Sequence, residues 1–166
     1  MTTEKRALTI ADIASVLNLA AGAPSGEVYA KVAALAAETV GFKLLTALRF
    51  VEETQEVERL YSSDTKAYPV GGRKQLKTIK KDHSLAAAGE IFLAANEAEV
   101  RHTFPDHDLI FSLGAGAVLN APIRCQGKRL GTLNFSGVAN SYGPREIENA
   151  KILANLLTAT VLGSKG

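Results

Sequence analysis

The hydrophobic pattern at the start of the chain predicts two helices. Apolar residues recur at helical spacing after Thr9, which forms a capping box with Asp12, so a first helix is predicted over residues 10–20. Another apolar stripe begins near Ser25 and stops at Gly41, a residue typical of a helix end. These segments are therefore expected to pack through one apolar face each.

The pattern then changes from helical spacing to alternation, which is typical of strands. Residues 42–52 and 56–63 alternate apolar and polar positions around a polar turn, and they predict a β-hairpin. Residues 117–124 and 130–136 flank the turn at residues 125–128 and predict a second, more buried hairpin. A brief strand is predicted at residues 90–94.

The segment between the hairpins is less regular. Residues 64–72 contain a proline and a pair of glycines and predict a loop. A short helix is predicted near residues 84–88, and short helical turns over residues 99–113, with Asp106 as an N-cap.

A final helix is predicted after Gly143 and Pro144. Its apolar positions form one continuous stripe that ends near Val161. The order of elements, helices followed by strands and then a helix, indicates an α+β domain.

Composition and charge narrow the class of protein. The chain has 166 residues, of which 46% are hydrophobic and 22% charged, as in an ordinary globular domain. The net charge of +2 gives no argument for nucleic acid or an anionic membrane as a partner. Cys125 is the only cysteine, and no apolar run is long enough to cross a membrane, so we expect a cytoplasmic protein.

Four stretches in order resemble the GAF domain family: GFKLLTALRFVEE, EVERLYSSD, SLGAGAVLNAPIRCQGKRLGTLNFSG and YGPREIENAKILANLLTATV. The resemblance implies a mostly antiparallel sheet with terminal helices packed on one face and a ligand pocket formed by loops and short helices on the other. It also implies a division into an N-terminal helical extension, residues 1–24, and a GAF domain, residues 25–163. Terminal helices often form the dimer interface in this family, so a homodimer is expected.

Three activities known in this family depend on residues that this chain lacks or places elsewhere. Members that bind cyclic nucleotides carry an Asn-Lys and an Asp-Glu dipeptide, and neither occurs here. Bilin-binding members attach the chromophore through a cysteine, whereas Cys125 falls in a predicted hairpin turn. Free methionine sulfoxide reductases need several cysteines, and they carry acidic residues where this chain has Val118, Asn134 and Ser136. The similarity to these enzymes therefore implies a less acidic pocket here.

Polar residues within apolar strands are the first candidates for ligand binding. Asn134 lies between Leu133 and Phe135, and Asn120 lies in the neighbouring strand, where both could share one sheet face. A buried amide needs hydrogen-bond partners, which either the protein or a ligand supplies. Ser136, at the place of an aspartate in the reductases, is the third candidate.

Two tyrosines and an arginine are further candidates. Tyr61 ends the second strand and Tyr68 follows in the loop, and each offers an aromatic wall with one hydroxyl group. Ordinary half-buried tyrosines would look the same. Arg49 either points into the pocket, where it would pair a ligand carboxylate, or points outward as a surface charge.

Histidine and aspartate residues are most concentrated in HTFPDHD, residues 102–108. Its histidines and aspartates could supply metal ligands or a general base, but Pro105 interrupts the spacing that a metal site needs, so no metal site is predicted. His107 is retained as a residue of the pocket rim. The basic run at residues 73–81 predicts either a solvated helix face or a mobile lid that attracts anions.

Three functions remain open at this point. The preferred one is a stand-alone GAF-type domain that binds a small anionic or amphipathic molecule in a sensory or regulatory role. The second is a small enzyme acting on a carboxylate or amide metabolite, with His107 or Asp108 as base. The third is a dimeric interaction module without a ligand. The sequence identifies no cofactor.

Overall fold

The computed structural model describes residues 4–76 and 90–164. The helices of the described residues are α1 (Ile10–Gly22), α2 (Ser25–Thr39), α3 (Glu97–Thr103), α4 (His107–Ser112), α5 (Pro144–Leu156) and α6 (Thr158–Gly163). The strands are β1 (Leu44–Val51), β2 (Glu56–Ser62), β3 (Arg73–Gln75), β4 (Phe92–Ala94), β5 (Ala117–Cys125) and β6 (Lys128–Gly137). None of these helices has the length and apolar character needed to cross a membrane.

The strands form one antiparallel sheet in the order β3-β2-β1-β6-β5-β4. Both predicted hairpins are confirmed, β1 with β2 and β5 with β6. The tight turn of the second hairpin has positive φ at Gln126 (51°) and Gly127 (75°), a geometry that matches the twist of paired strands. The α+β class predicted from the sequence is confirmed, while the helix predicted near residues 84–88 lies outside the described residues.

Helices α1, α2, α5 and α6 cover one face of the sheet. Three central apolar side chains of this face, Leu45, Leu133 and Phe135, are 1% exposed or less. They pack against the apolar stripes of the helices, such as Val32 of α2 and Leu153 of α5. Burying a side chain of this size contributes about 1.5–3 kcal/mol, so this layer supplies most of the hydrophobic stabilisation of the fold.

The start of α1 shows the predicted capping box. The Thr9 hydroxyl accepts a hydrogen bond from the Asp12 N–H at 3.1 Å, and the Asp12 carboxylate accepts one from the Thr9 N–H at 2.9 Å. Arg6 binds both Asp12 and Glu38 of α2. The hydrogen bond from Arg6, together with that from the Thr9 N–H, holds the pKa of Asp12 well below its usual range. The N-terminal segment is thereby attached to α2.

Asn149 of α5 joins three segments inside the helical layer. Its Nδ2 donates to the Thr39 carbonyl at 2.9 Å and to the Arg6 carbonyl at 3.1 Å. Its Oδ1 accepts a hydrogen bond from the Leu8 N–H at 3.3 Å. With 4% of the residue exposed, this amide is a buried polar group whose hydrogen bonds are made within the protein.

Replacing Asn149 with leucine is expected to lower the free energy of unfolding by about 2–4 kcal/mol. The new side chain has a similar size but makes none of the three hydrogen bonds, and it leaves their backbone partners unsatisfied. Urea unfolding followed by circular dichroism measures the change. Asn155→Leu, at an exposed position of the same helix, is the control and should change stability by less than about 0.5 kcal/mol. Equal losses in both variants would contradict this role of Asn149.

Candidate functional site

The face of the sheet opposite the terminal helices forms the floor of a cavity of about 370 Å³. This volume lies within the range of small-molecule sites in proteins. Strands β1, β2, β5 and β6 supply the floor, and the loop after β2 and the corner between α3 and α4 supply walls. The lining residues are Leu44, Thr46, Leu48, Val57, Arg59, Ala67, Tyr68, Gly72, Arg73, Lys74, Thr103, Phe104, Pro105, Asp106, Ile110, Val118, Asn120, Asn134 and Ser136.

A row of polar side chains crosses the floor of the cavity. Asn134 on β6 lies directly opposite Asn120 on β5 and Thr46 on β1. Side chains of directly opposed residues lie on the same face of a sheet, so the three groups are neighbours. The Asn134 Nδ2 donates to the Thr46 hydroxyl oxygen at 3.3 Å. The prediction that Asn120 and Asn134 share a sheet face is confirmed.

Three atoms of this polar row have no hydrogen-bond partner among the described residues. They are the Nδ2 and Oδ1 of Asn120 and the Oδ1 of Asn134. Asn120 is 1% exposed, so its amide is removed from bulk water as well. Buried polar groups are nearly always hydrogen-bonded, and an unpaired one costs about 1–3 kcal/mol. The floor of the cavity therefore offers hydrogen-bonding groups that the described part of the chain does not use.

Arg59 of β2 places a positive charge beside this floor. Its Nη1 donates to the Pro69 carbonyl at 3.0 Å, and its guanidinium lies 5.1 Å from the centre of the Tyr68 ring. Its Nε is buried without a partner among the described residues, and none of their ion pairs includes Arg59. Burial lowers the pKa of Arg59 from its ordinary value, because the charged form loses solvation.

A hydrogen bond between Tyr68 and Asp106 connects two walls of the cavity. The Tyr68 hydroxyl donates to the Asp106 carboxylate at 2.7 Å, joining the loop after β2 to the corner between α3 and α4. Burial and this hydrogen bond raise the pKa of Tyr68, so the phenol stays a donor at neutral pH. Asp106 occupies the N-cap position of α4, as predicted, but its side chain makes no capping hydrogen bond. Its carboxylate binds Tyr68 instead.

Basic residues of β3 line part of the cavity. Residues 73–75 form the edge strand β3, which corrects the prediction of a helix face for this part of the basic run, and the run beyond residue 76 lies outside the described residues. Arg73 pairs with Glu56 at 3.2 Å, while Lys74 lines the cavity. Since Arg73 is paired, the lining cations outside the ion pairs of the described residues are Arg59 and Lys74, against one lining carboxylate, that of Asp106, which leaves a small positive balance.

The structure brings together four of the seven predicted ligand-binding residues. Tyr68, Asn120, Asn134 and Ser136 line the cavity. Ligand binding by these residues stays a prediction.

Arg49 and Tyr61 lie on the other face of the sheet and do not line the cavity. Arg49 forms an ion pair with Glu58 at 2.6 Å, and its Nη1 donates to the Ser164 carbonyl at 2.6 Å. Tyr61 stacks on Tyr29 of α2 with ring centres 5.4 Å apart. Both side chains therefore belong to the helical layer, which corrects the expectation that they point into the pocket.

A β-bulge in β2 explains the position of Tyr61. Tyr61 pairs with Ala47, but Arg59 pairs with Leu48, so Leu60 is an extra residue in the pairing. The extra residue reverses the alternation, so Arg59 faces the cavity and Tyr61 faces the helices. Sequence alternation alone places both residues on one face, so it cannot predict that Arg59 and Tyr61 point to opposite sides of the sheet.

His107 lies beside the cavity and outside its lining. Its Nδ1 is 2.8 Å from the Phe104 carbonyl, and its ring lies against Phe111. Among the described residues, no three side chains of the metal-binding types are close enough to hold a metal ion. Cys125 ends β5 and packs against the core beneath the helices.

Comparison with known proteins shows a likeness at the level of structure. No family model and no curated protein matches the sequence. The GAF domain of an Acinetobacter phosphoenolpyruvate-protein phosphotransferase is similar with a TM-score of 0.72 at 12% identity, over 93% of each chain. The phycocyanobilin-bound GAF domain of a cyanobacterial phytochrome gives 0.67 at 15% identity, over 96% of this chain and 97% of that one.

Larger photoreceptor chains are also similar over part of their length. The chromophore-binding domain of a bacteriophytochrome from R. palustris gives a TM-score of 0.66 at 10% identity, over 92% of this chain. The present chain spans 61% of that domain and 39% of the longer bacteriophytochrome structure. At these identities the likeness shows the fold alone, and that fold is the one that the sequence resemblance implied.

Replacing Asn120 with leucine is expected to raise the free energy of unfolding of the ligand-free protein by about 1–2 kcal/mol. The substitution removes two unpaired buried polar atoms and adds apolar surface beside Val118 and Phe92. The expected change in the free energy of unfolding is thus opposite in sign to that of Asn149→Leu. Urea unfolding of both variants measures the two changes. A loss of stability similar to that of Asn149→Leu would show that the Asn120 amide is satisfied within the protein.

Proposed function

We propose that this chain, which has the GAF fold, binds a small anionic or amphipathic molecule in the cavity and serves in a sensory or regulatory role. The observation that carries the proposal is the Asn120 amide, buried in the cavity floor without a partner among the described residues. The positive charge of the lining favours an anionic ligand. Structural neighbours support the proposal, since one is bound to phycocyanobilin and another is a chromophore-binding domain.

The geometry favours binding over the catalytic alternative considered from the sequence. That alternative needs His107 or Asp108 as a base, and neither side chain lines the cavity. The Asp108 side chain is 91% exposed, and the His107 ring is held against the Phe104 carbonyl. A general base must reach its substrate within hydrogen-bond distance, so neither residue supports this reaction at the cavity.

A thermal-shift screen tests ligand binding directly. Amino acids, organic acids, purines and tetrapyrroles are added to the wild type, to Asn120→Leu and to the control Asn155→Leu. A ligand at 100 times its dissociation constant stabilises by about 2.7 kcal/mol, which is a rise in Tm of about 5–10 °C for a chain of this size. We expect such a rise in the wild type and in Asn155→Leu, with a much smaller rise in Asn120→Leu. Failure of every compound to stabilise the wild type would contradict the proposed function.

The proposal includes a homodimer formed through the terminal helices. One stripe of α1 faces solvent although its residues are apolar: Ile10, Ala14, Leu17 and Ala21 are all exposed. Their spacing of four, three and four residues is that of a coiled-coil seam. Ile10 is 87% exposed and Leu17 53%, which is a large apolar surface for one short helix to leave in water.

Leu17→Glu is expected to shift the protein from dimer to monomer, because a charge in the centre of an apolar seam loses its solvation. Light scattering after size-exclusion chromatography measures the mass. Val138→Glu is the matched control, since Val138 is 48% exposed but lies in the loop after β6. A wild-type mass of one chain, or a dimer that survives Leu17→Glu, would rule out this interface.

A further inference from the structure

We infer that the floor of the cavity binds an uncharged primary carboxamide, carried by an amphipathic ligand whose apolar body lies against the walls. This inference rests on the proposed function and specifies which chemical group the cavity recognises. Two neighbouring side chains, Asn120 and Asn134, carry the argument, because three of their polar atoms are buried without a hydrogen-bond partner in the part of the chain that the structure describes.

The three atoms define the groups that a ligand must offer. The Asn120 Nδ2 is a donor, whereas the Asn120 Oδ1 and the Asn134 Oδ1 are acceptors. The Asn134 Nδ2 already donates to the Thr46 hydroxyl oxygen, so only the Oδ1 of that amide is left for a ligand. A matching head group therefore has one acceptor and two donors.

A primary carboxamide has this set of groups, with both donors on one nitrogen. Its carbonyl oxygen and the N–H on the same side can pair with both polar atoms of the Asn120 amide. Asparagine binds an adjacent donor and acceptor of adenine in DNA in the same bidentate way. The second N–H of the ligand then remains for the Asn134 Oδ1.

The spacing of the two acceptors fits one ligand nitrogen. The N–H bonds of a planar amide diverge by about 120°, so two hydrogen bonds of about 2.9 Å place their acceptors about 5 Å apart. Asn120 and Asn134 are directly opposed on β5 and β6. The Cβ atoms of such pairs lie about 4.5–5.5 Å apart on one face of the sheet. A single nitrogen can therefore donate to both residues.

Other common head groups fit this floor less well. A carboxylate has acceptors only, so it would bring negative charge against both Oδ1 atoms. A secondary amide in its usual trans form has its N–H opposite the carbonyl and cannot pair bidentately with Asn120. The polar row of Thr46, Asn134 and Asn120 contains no cation, and the guanidinium of Arg59 contacts Tyr68 and the Pro69 carbonyl. The floor thus favours an uncharged head group with two donors.

The walls of the cavity suit an apolar body. Leu44, Ile110 and Val118 present aliphatic surface, and Phe104 adds an aromatic side chain. Burial of apolar surface against such side chains favours binding, while a few polar contacts fix the orientation of the ligand. The ligand is therefore apolar except for the carboxamide that contacts the floor.

Four small aromatic compounds test the head group in the wild-type protein. Benzamide offers the acceptor and both donors, isoindolin-1-one lacks the donor for Asn134, N-methylbenzamide lacks the donor for Asn120, and benzoate lacks both. NMR titration of isotopically labelled protein gives the dissociation constants, and the side-chain amide signals of the two asparagines report the site. We expect benzamide to bind about 3 to 10 times more tightly than isoindolin-1-one and about 10 to 100 times more tightly than the other two. Benzoate or N-methylbenzamide binding as tightly as benzamide would overturn the inference.

Variants then assign the donors to residues. In Asn134→Leu, benzamide should bind only as tightly as isoindolin-1-one, whose own affinity should not change. Asn120→Leu should weaken both compounds about 10-fold or more. Asn155→Leu, at an exposed position of α5, is the control and should change neither affinity. A full preference for benzamide in Asn134→Leu, or unchanged benzamide binding in Asn120→Leu, would show that the carboxamide does not bind these two side chains.

The thermal-shift screen separates this inference from the proposed function. If benzamide does not bind, but a compound without a primary carboxamide stabilises the wild type through Asn120, the head group is wrong and the proposed function stands. If no compound binds in either experiment, the proposed function fails as well.

Discussion

The central strands of this protein must be buried on both faces, and the rest of the structure follows from how differently the two faces are covered. Successive residues of a strand point to opposite faces, so β1, β6 and β5 each contribute two sets of buried side chains. Long helices pack closely against one set, including Leu45, Leu133 and Phe135. Loops and short helices cover the other set and leave a cavity of about 370 Å³.

The different packing of the two faces determines which buried polar groups have hydrogen-bond partners. Asn149 is buried in the helical layer, and three backbone groups satisfy its amide. Asn120 is at least as deeply buried, yet its amide has no partner among the described residues. A protein that folds with such a group gives up stability at that position, which is common where a binding site is prepared in advance.

The side of the cavity near β2 carries a positive charge and the contacts that join two of its walls. Arg59 makes a cation–π contact with the Tyr68 ring, and the Tyr68 hydroxyl donates to the Asp106 carboxylate. The connection joins a loop to a helical corner, and both belong to the less densely packed side of the sheet.

The sequence by itself determined both hairpins, the α+β class and most of the described helices, although it did not predict the edge strand β3. Periodicity depends on neighbouring residues, and the capping box of Thr9 with Asp12 and the turn at Gln126 and Gly127 are local as well. The prediction that Asn120 and Asn134 share one face is confirmed, but their direct opposition also depends on a shift in the strand pairing between Ile123 and Arg124, next to the turn.

Only the tertiary structure decided which residues of β1 and β2 face the cavity. The extra residue Leu60 reverses the alternation of β2, and a bulge is defined by the pairing of two strands, which no single segment encodes. Arg49 likewise bonds to Ser164, 115 residues away, and so lies in the helical layer. The site depends on contacts between distant segments, whereas the elements depend on neighbours along the chain.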